Sequence, residues 1–428
     1  MILRRGDASS AWRPGVASFA LLLLVGLAAG SARANHSASL ALVGGRVYIS
    51  PAASPIDDAV VLISNGKIVD LGPRSKVRIP SSAQQIECQG KVITAGFWNS
   101  HVHFTEDDWN GAATAPAGKL EQHMQEMLTR WGFTTVFDIG SFPGDTLALR
   151  KRVDSGEVPG PKIYTTAGAI YPQNGIPVYI PQPIREQIKR FEAATPADAA
   201  NLAHEELAMG GDGIKLFTGA IMGRGKVTPM PTDVARAAVS VAHAAGKPVF
   251  AHPSNHLGTD NALAAGVDIL AHTIPEEESG WTPQELQRMK AQHTALVPTL
   301  TLWEVELEKQ HASVEDERQF VQSGVNELKT YVEQGGTILF GTDVGYTQHY
   351  DTTEEYVLMA NSGMTWRDIL KSLTANPAKL FKAESTAELK QGNDADLVVL
   401  NADPATDVRN FADVEYTIRA GKVIYSRK

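Results

Sequence analysis

Short apolar runs recur through the middle of the chain, at residues 92–103, 133–140, 161–168, 213–218, 248–253, 268–273, 295–301 and 337–344. Each has the length and β-branched content of a strand with both faces buried. Between them lie stretches with apolar residues at helical spacing, such as 197–209, 231–245 and 314–334, each ended by Gly or a Gly pair before the next run. The tightest interval is the 20 residues from His252 to His272, which leaves room only for a short helix. This alternation predicts an α/β fold of parallel strands joined by helices, and periodicity alone also admits an open doubly wound sheet.

The two ends of the chain carry a different period. Residues 41–88 alternate apolar and polar positions between turn signals, with Asn65-Gly66 a strong hairpin signal. Residues 396–400 and 414–425 alternate in the same way, with Gly421 at the turn. Neither end has enough strands to bury a core alone. They are therefore read as two halves, 38–92 and 386–428, of one small β-sandwich flanking a central domain at 93–385.

Chemistry-bearing side chains collect at the ends of the apolar runs. His101 and His103 are two apart, so on an extended segment their imidazoles point the same way and converge on one region. Lys215, His252, His272 and Asp343 likewise stand at or near the ends of later runs. Catalytic groups contributed from the ends of several parallel strands at one face are the signature of a (β/α)8 TIM barrel. Four imidazoles and one carboxylate are sufficient donors for divalent metal. Lys215 is the odd member, because an ammonium beside two dications would be repelled and must lose its proton.

The order His-x-His, Lys, His, His, Asp resembles the amidohydrolase superfamily, in its imidazolonepropionase-like and prolidase-like branch. Thr94-Ala-Gly-Phe-Trp-Asn-Ser-His-Val-His is similar to that superfamily's first-strand signature. Leu373-Thr-Ala-Asn-Pro-Ala-Lys-Leu resembles its last barrel helix, and Gln391-Gly-Asn-Asp-Ala-Asp-Leu-Val-Val-Leu its return to the flanking domain. The chain departs at Trp98-Asn99-Ser100, where Ile-Asp or Val-Asp is more usual. The resemblance implies two divalent ions, with zinc the expected element. His101, His103 and Asp343 would hold one, His252 and His272 the other, and a carboxylated Lys215 would bridge them. It further implies a metal-bridging hydroxide as nucleophile, with Asp343 as the catalytic proton shuttle.

The remaining polar candidates carry less. His123, His204, His243, His293 and His311 fall in helical or helix-flanking stretches and are read as solvated surface residues. His256 lies four residues past a ligand candidate and is read as a pocket residue. Tyr171, Arg224 and His349 stand in loops after the third, fourth and eighth runs and are the candidates for binding substrate.

Arg4, Arg5 and Arg13 precede an apolar stretch at 16–29, and the Ala-x-Ala pattern ending at Ala34 suits cleavage. Residues 1–34 therefore read as a secretory signal, which places the mature protein in the periplasm or outside the cell. The apolar stretch is shorter than the ~20 residues a bilayer span needs, so no stable membrane span is expected after cleavage. Losing four Arg and one Asp would take the formal charge from −9 to −12, and this acidity argues against nucleic acid as a partner. Cys88 is the single cysteine, so no intrachain disulfide forms. A homo-oligomer is allowed by the sequence but not specified by it.

Three functions compete on these residues. The first is a metal-dependent hydrolase of small amides such as dipeptides or N-acyl amino acids, with lactones and phosphotriesters as neighbouring substrates. The second is a mononuclear deaminase or cyclic-amidine hydrolase. Relatives of that kind carry a Glu soon after the fifth-strand His, whereas His252 is followed by Pro-Ser-Asn-His. The third is a non-enzymatic scaffold, which would have lost ligands, and none is missing. The first reading is preferred.

Overall fold

A computed structural model describes residues 38–276 and 280–427, so the segment read as a secretory signal lies outside the described residues. The chain opens with the strands β1 (Leu40–Val47), β2 (Ile56–Ser64), β3 (Lys67–Pro73), β4 (Gln84–Glu87) and β5 (Val92–Ala95). β1, β2 and β3 form an antiparallel meander, and β4 and β5 pair with β1 in parallel. Asn65 (φ +49°) and Gly66 (φ +74°) both sit at positive φ, as a two-residue hairpin of the predicted kind requires.

The first apolar run divides at Gly96. A Cβ there would lie 2.1 Å from Thr134 Oγ1, so only glycine lets the chain pass between the two sheets at this point. β5 thus stays paired with β1, beyond the expected division after residue 92. Beyond it come β6 (Phe97–Val102), β7 (Phe133–Asp138) and β8 (Lys162–Thr165), paired in parallel. A short parallel pair, β9 (Tyr171–Pro172) with β10 (Glu192–Ala193), frames the long loop after β8. β11 (Ile214–Phe217) is followed by the hairpin β12 (Gly219–Gly223) and β13 (Lys226–Pro229), then by β14 (Val249–His252), β15 (Ile269–Ala271) and β16 (Ala295–Val297). β11, β14, β15 and β16 make a second parallel sheet in that order.

Single parallel bridges link these sheets: Ile170 to Leu216, Leu296 to Ile338, and Val102 to Val344. The fold is α/β as expected, but among the described residues no one sheet closes on itself. The eighth run, 337–344, forms single bridges at Ile338 and Val344 and not a continuous strand, and Asp343 turns to φ +60° near its end. Helices fall where the spacing put them: Pro196–Ala208, started by a Thr195/Asp198 capping box; Thr232–Ala244; Val314–Glu333; and the short His256–Ala265 between β14 and β15.

The chain ends with β17 (Leu397–Leu400), β18 (Val414–Arg419) and β19 (Lys422–Ser426). β17 pairs with β5, so both ends of the chain enter one eight-stranded sheet, ordered β19-β18-β17-β5-β1-β2-β3 with β4 on β1. The two halves expected to form a sandwich are therefore joined edge to edge by backbone hydrogen bonds. Each face of this sheet buries its own apolar cluster, one around Leu42, Val61 and Val399 and the other around Val43, Val60 and Val77.

Inside the parallel strands Phe137, Phe250, Ile269, Val297 and Leu339 share one buried cluster. Phe381, just past the helix Ala375–Leu380, packs 4.9 Å from Phe137 and 5.5 Å from Trp98 between ring centroids. This aromatic plug fills the interior behind the strand ends that carry the site.

Candidate metal centre

Five residues other than glycine adopt positive φ at the carboxyl ends of parallel segments: Ala167 (+57°), Ser254 (+60°), His272 (+83°), Thr299 (+47°) and Asp343 (+60°). Such conformations cost of order 1–3 kcal/mol each and persist where the surroundings over-determine them, which is typical of functional sites. Two of them, His272 and Asp343, line a cavity of about 1300 Å³ together with His101, His103, Lys215 and His252, so all six predicted ligands face one cavity.

The closest contacts gather around Asp343. His103 Nε2 lies 2.9 Å and His101 Nε2 3.2 Å from Asp343 Oδ1, while His272 Nε2 is 3.9 Å from Oδ2. The two nitrogens of the His-x-His pair stand 3.3 Å apart, as two side chains on one strand face should. Donor atoms of His101, His272 and Asp343 all lie within 4.8 Å of one another. The next pair stands beside them. His252 approaches His272 ring to ring at 4.6 Å and stacks on Phe217 at 4.9 Å. Lys215, only 1% exposed, places Nζ 5.6 Å from that same Phe217 ring.

Burial sets the protonation of these groups. It pulls the His101 imidazolium down to about 3, and holds His252 and His272 well below the ordinary histidine range. Burial also drops Lys215 to about 7, against a weaker opposing pull from Asp343. For Asp343 burial acts upward, but the facing His101 and His103 rings outweigh it and keep the carboxyl well below the ordinary range. Neutral imidazoles around an ionised carboxylate are the forms in which these side chains bind metal. The donor set fits a cation in one further respect: His101 Nδ1 is buried with no hydrogen-bond partner, and the contacts of buried Asp343 Oδ1 with His101 and His103 lack hydrogen-bond geometry. A cation against Asp343 Oδ1 would satisfy that oxygen.

The substrate candidates divide. Tyr171 lines the cavity and stacks on Phe217 at 4.7 Å, and Arg224 reaches its rim from the exposed turn of the β12–β13 hairpin. His349 is exposed and absent from the lining, because the chain has already turned outward past Tyr346. His256 is also not a pocket residue: it opens the helix His256–Ala265 with Nδ1 2.9 Å from Glu285 Oε1. His123, read as solvated, is instead buried, with Nε2 2.6 Å from Glu106 Oε2.

Several lining residues went unread in the sequence. Tyr346, three residues past Asp343, donates its hydroxyl to Glu306 Oε1 at 2.9 Å and meets the Tyr179 ring at 5.3 Å. Nothing in their spacing marks them, since loop conformation brings them over the site. Asp138 did carry a signal, as an acid ending the second apolar run. It is fully buried, accepts Thr165 Oγ1 at 2.6 Å and Ser141 Oγ on its other oxygen, and Ser141 Oγ in turn accepts the Phe104 N–H at 2.7 Å. This bond network fixes the backbone that follows His103.

The model of the amidohydrolase family matches residues 92–424. Ochratoxinase from Aspergillus niger is 23% identical over 91% of this chain and 87% of its own length. Among solved structures, a Xaa-Pro dipeptidase with bound methionine superposes with TM-score 0.76 at 23% identity, over 91% of this chain and all of that one. A protein described as a prolidase from Bifidobacterium longum gives TM-score 0.75 at 24% identity, over 90% and 94% of the two chains. At such identities the structural likeness establishes the fold.

Proposed function

The chain belongs to the amidohydrolase family and is a hydrolase acting on carbon–nitrogen bonds, and on that premise we propose that it cleaves amide bonds of small molecules at a two-metal centre in the cavity. One observation carries this reading: the imidazoles of His101, His103 and His272 converge on the buried, ionised carboxylate of Asp343. His101, His103 and Asp343 would hold one ion, His252 and His272 the other, and Lys215, as its carboxylated form, would bridge them. Zinc suits so imidazole-rich a donor set. Bound there, such ions polarise the scissile carbonyl and make water acidic enough to act as nucleophile near neutral pH. We read the eight parallel segments as one (β/α)8 barrel, its sheets linked by the three bridges, with the sheet of the two chain ends as the flanking domain.

The chain's own residues supply the rest. Asp343, ionised and set between His101 and His103, takes the proton from the attacking water and returns it to the leaving nitrogen. Tyr171, Phe217, Trp303 and Phe320 give the cavity an aromatic wall that suits an apolar group on the substrate. Arg224 at the rim suits a free carboxylate. The similarity to a Xaa-Pro dipeptidase supports dipeptides among the candidate substrates. A kcat/KM panel across dipeptides, N-acyl amino acids, lactones and phosphotriesters tests this. Lactones preferred by roughly tenfold or more over every amide would overturn the amide assignment and leave the metal centre standing.

Export belongs to the same proposal, on the arginines, apolar stretch and Ala-x-Ala pattern of residues 1–34. Terminal sequencing of the mature protein should begin at Asn35, and retention of Met1 would contradict it.

A further inference from the structure

His272 and Thr299 stand at the ends of neighbouring segments, and Nδ1 of the histidine lies 2.7 Å from the threonine Oγ1. A hydroxyl owns one hydrogen. Thr299 Oγ1 lies 2.8 Å from the carbonyl oxygen of Pro298 and donates to it, so the oxygen facing His272 must accept. The donor can then only be Nδ1–H, which leaves Nε2 as the bare nitrogen. That nitrogen is the one aimed at the site, 3.9 Å from Asp343 Oδ2.

Thr299 is held for this task. Its backbone sits at φ +47°, ψ +52°, an unusual conformation for a β-branched residue. The next two residues are clamped by the buried Glu355, which accepts the Leu300 N–H at 3.0 Å and the Thr301 N–H at 2.8 Å. On the histidine side, Trp303 Nε1 donates to Thr273 Oγ1 at 2.9 Å, and the Ile274 N–H donates to Glu327 at 2.7 Å. The backbone is thus tied on both sides of the hydrogen bond.

We propose that Thr299 is a positioning residue that selects the Nδ1–H tautomer of His272 and so keeps Nε2 ready for a divalent cation before any ion arrives. Partners of this kind behind a metal-binding histidine typically change affinity 10- to 100-fold. The proposal rests on the metal-centre reading. Its test is zinc binding by metal-stripped full-length protein, measured against a chromophoric chelator. Thr299→Val, which keeps shape and removes the hydroxyl, should weaken one zinc site 10- to 100-fold and leave the other near its original affinity. Thr299→Ser should restore binding to within about threefold. Wild-type affinity in Thr299→Val, or a Ser variant as weak as Val, would overturn the role of the hydroxyl. Failure of the wild type itself to bind zinc would instead refute the metal centre. Should Thr299→Val not fold, the 15N spectrum of the metal-free wild type decides: a protonated Nδ1 on His272 supports the assignment, and a protonated Nε2 overturns it.

Discussion

Asp343 touches two imidazoles from one strand and faces a third from another, so its carboxylate is the point through which the site is most directly tested. Asp343→Asn keeps the size and one oxygen donor but removes the base. The expected outcome is a fall in kcat of ~100-fold or more with metal content retained, read from steady-state kinetics beside elemental analysis. Lys215→Ala should lose at least one ion and nearly all turnover, and added short carboxylic acids should restore part of it by supplying bridging oxygens. Normal activity in that variant would make Lys215 a structural residue. At this scale the sequence was informative, because chemistry that needs strand ends leaves its residues at the ends of apolar runs. His123, expected on the surface, is buried. Spacing locates a residue on an element but does not say which side chain a neighbouring loop will cover, as Glu106 covers His123.

The parallel segments and helices follow from periodicity because each buries a continuous apolar face. Connections between sheets do not. The split at Gly96 reflects the side chain of Thr134, a contact across 38 residues that no local pattern encodes. Gly345 has the same character. It sits at φ +98°, and a Cβ there would lie 1.8 Å from the carbonyl oxygen of His103. The segment after Asp343 therefore lies directly against the backbone of the His-x-His strand end. Gly345→Ala should push these elements apart, lowering stability by on the order of 2 kcal/mol or more and loosening metal binding. Denaturant unfolding together with zinc titration checks this, and a variant with wild-type values in both would contradict the contact.

The α/β class and the strands at both ends of the chain were legible in the sequence. The joining of those ends into one sheet was not, since edge-to-edge pairing between distant segments has no signature in either. Burial of neutral His101, His252 and His272 has a consequence at this scale. Their folded pKa values are depressed, so between the unfolded value near 6.5 and the folded values the unfolded chain binds more protons. Stability conferred by the neutral forms is complete above about pH 6.5 and declines as pH falls, for His101 down to about pH 3. Unfolding midpoints of metal-free protein should drop from pH 8 to pH 5, and a flat profile would show the imidazoles to be hydrated. The reaction turns on whether the cluster of His101, His103, Lys215, His252, His272 and Asp343 holds two ions. Elemental analysis of protein purified without chelators should give two divalent ions per chain, falling together with amide hydrolysis when the ions are stripped and returning with it when they are restored. One ion or none in fully active protein would contradict the account.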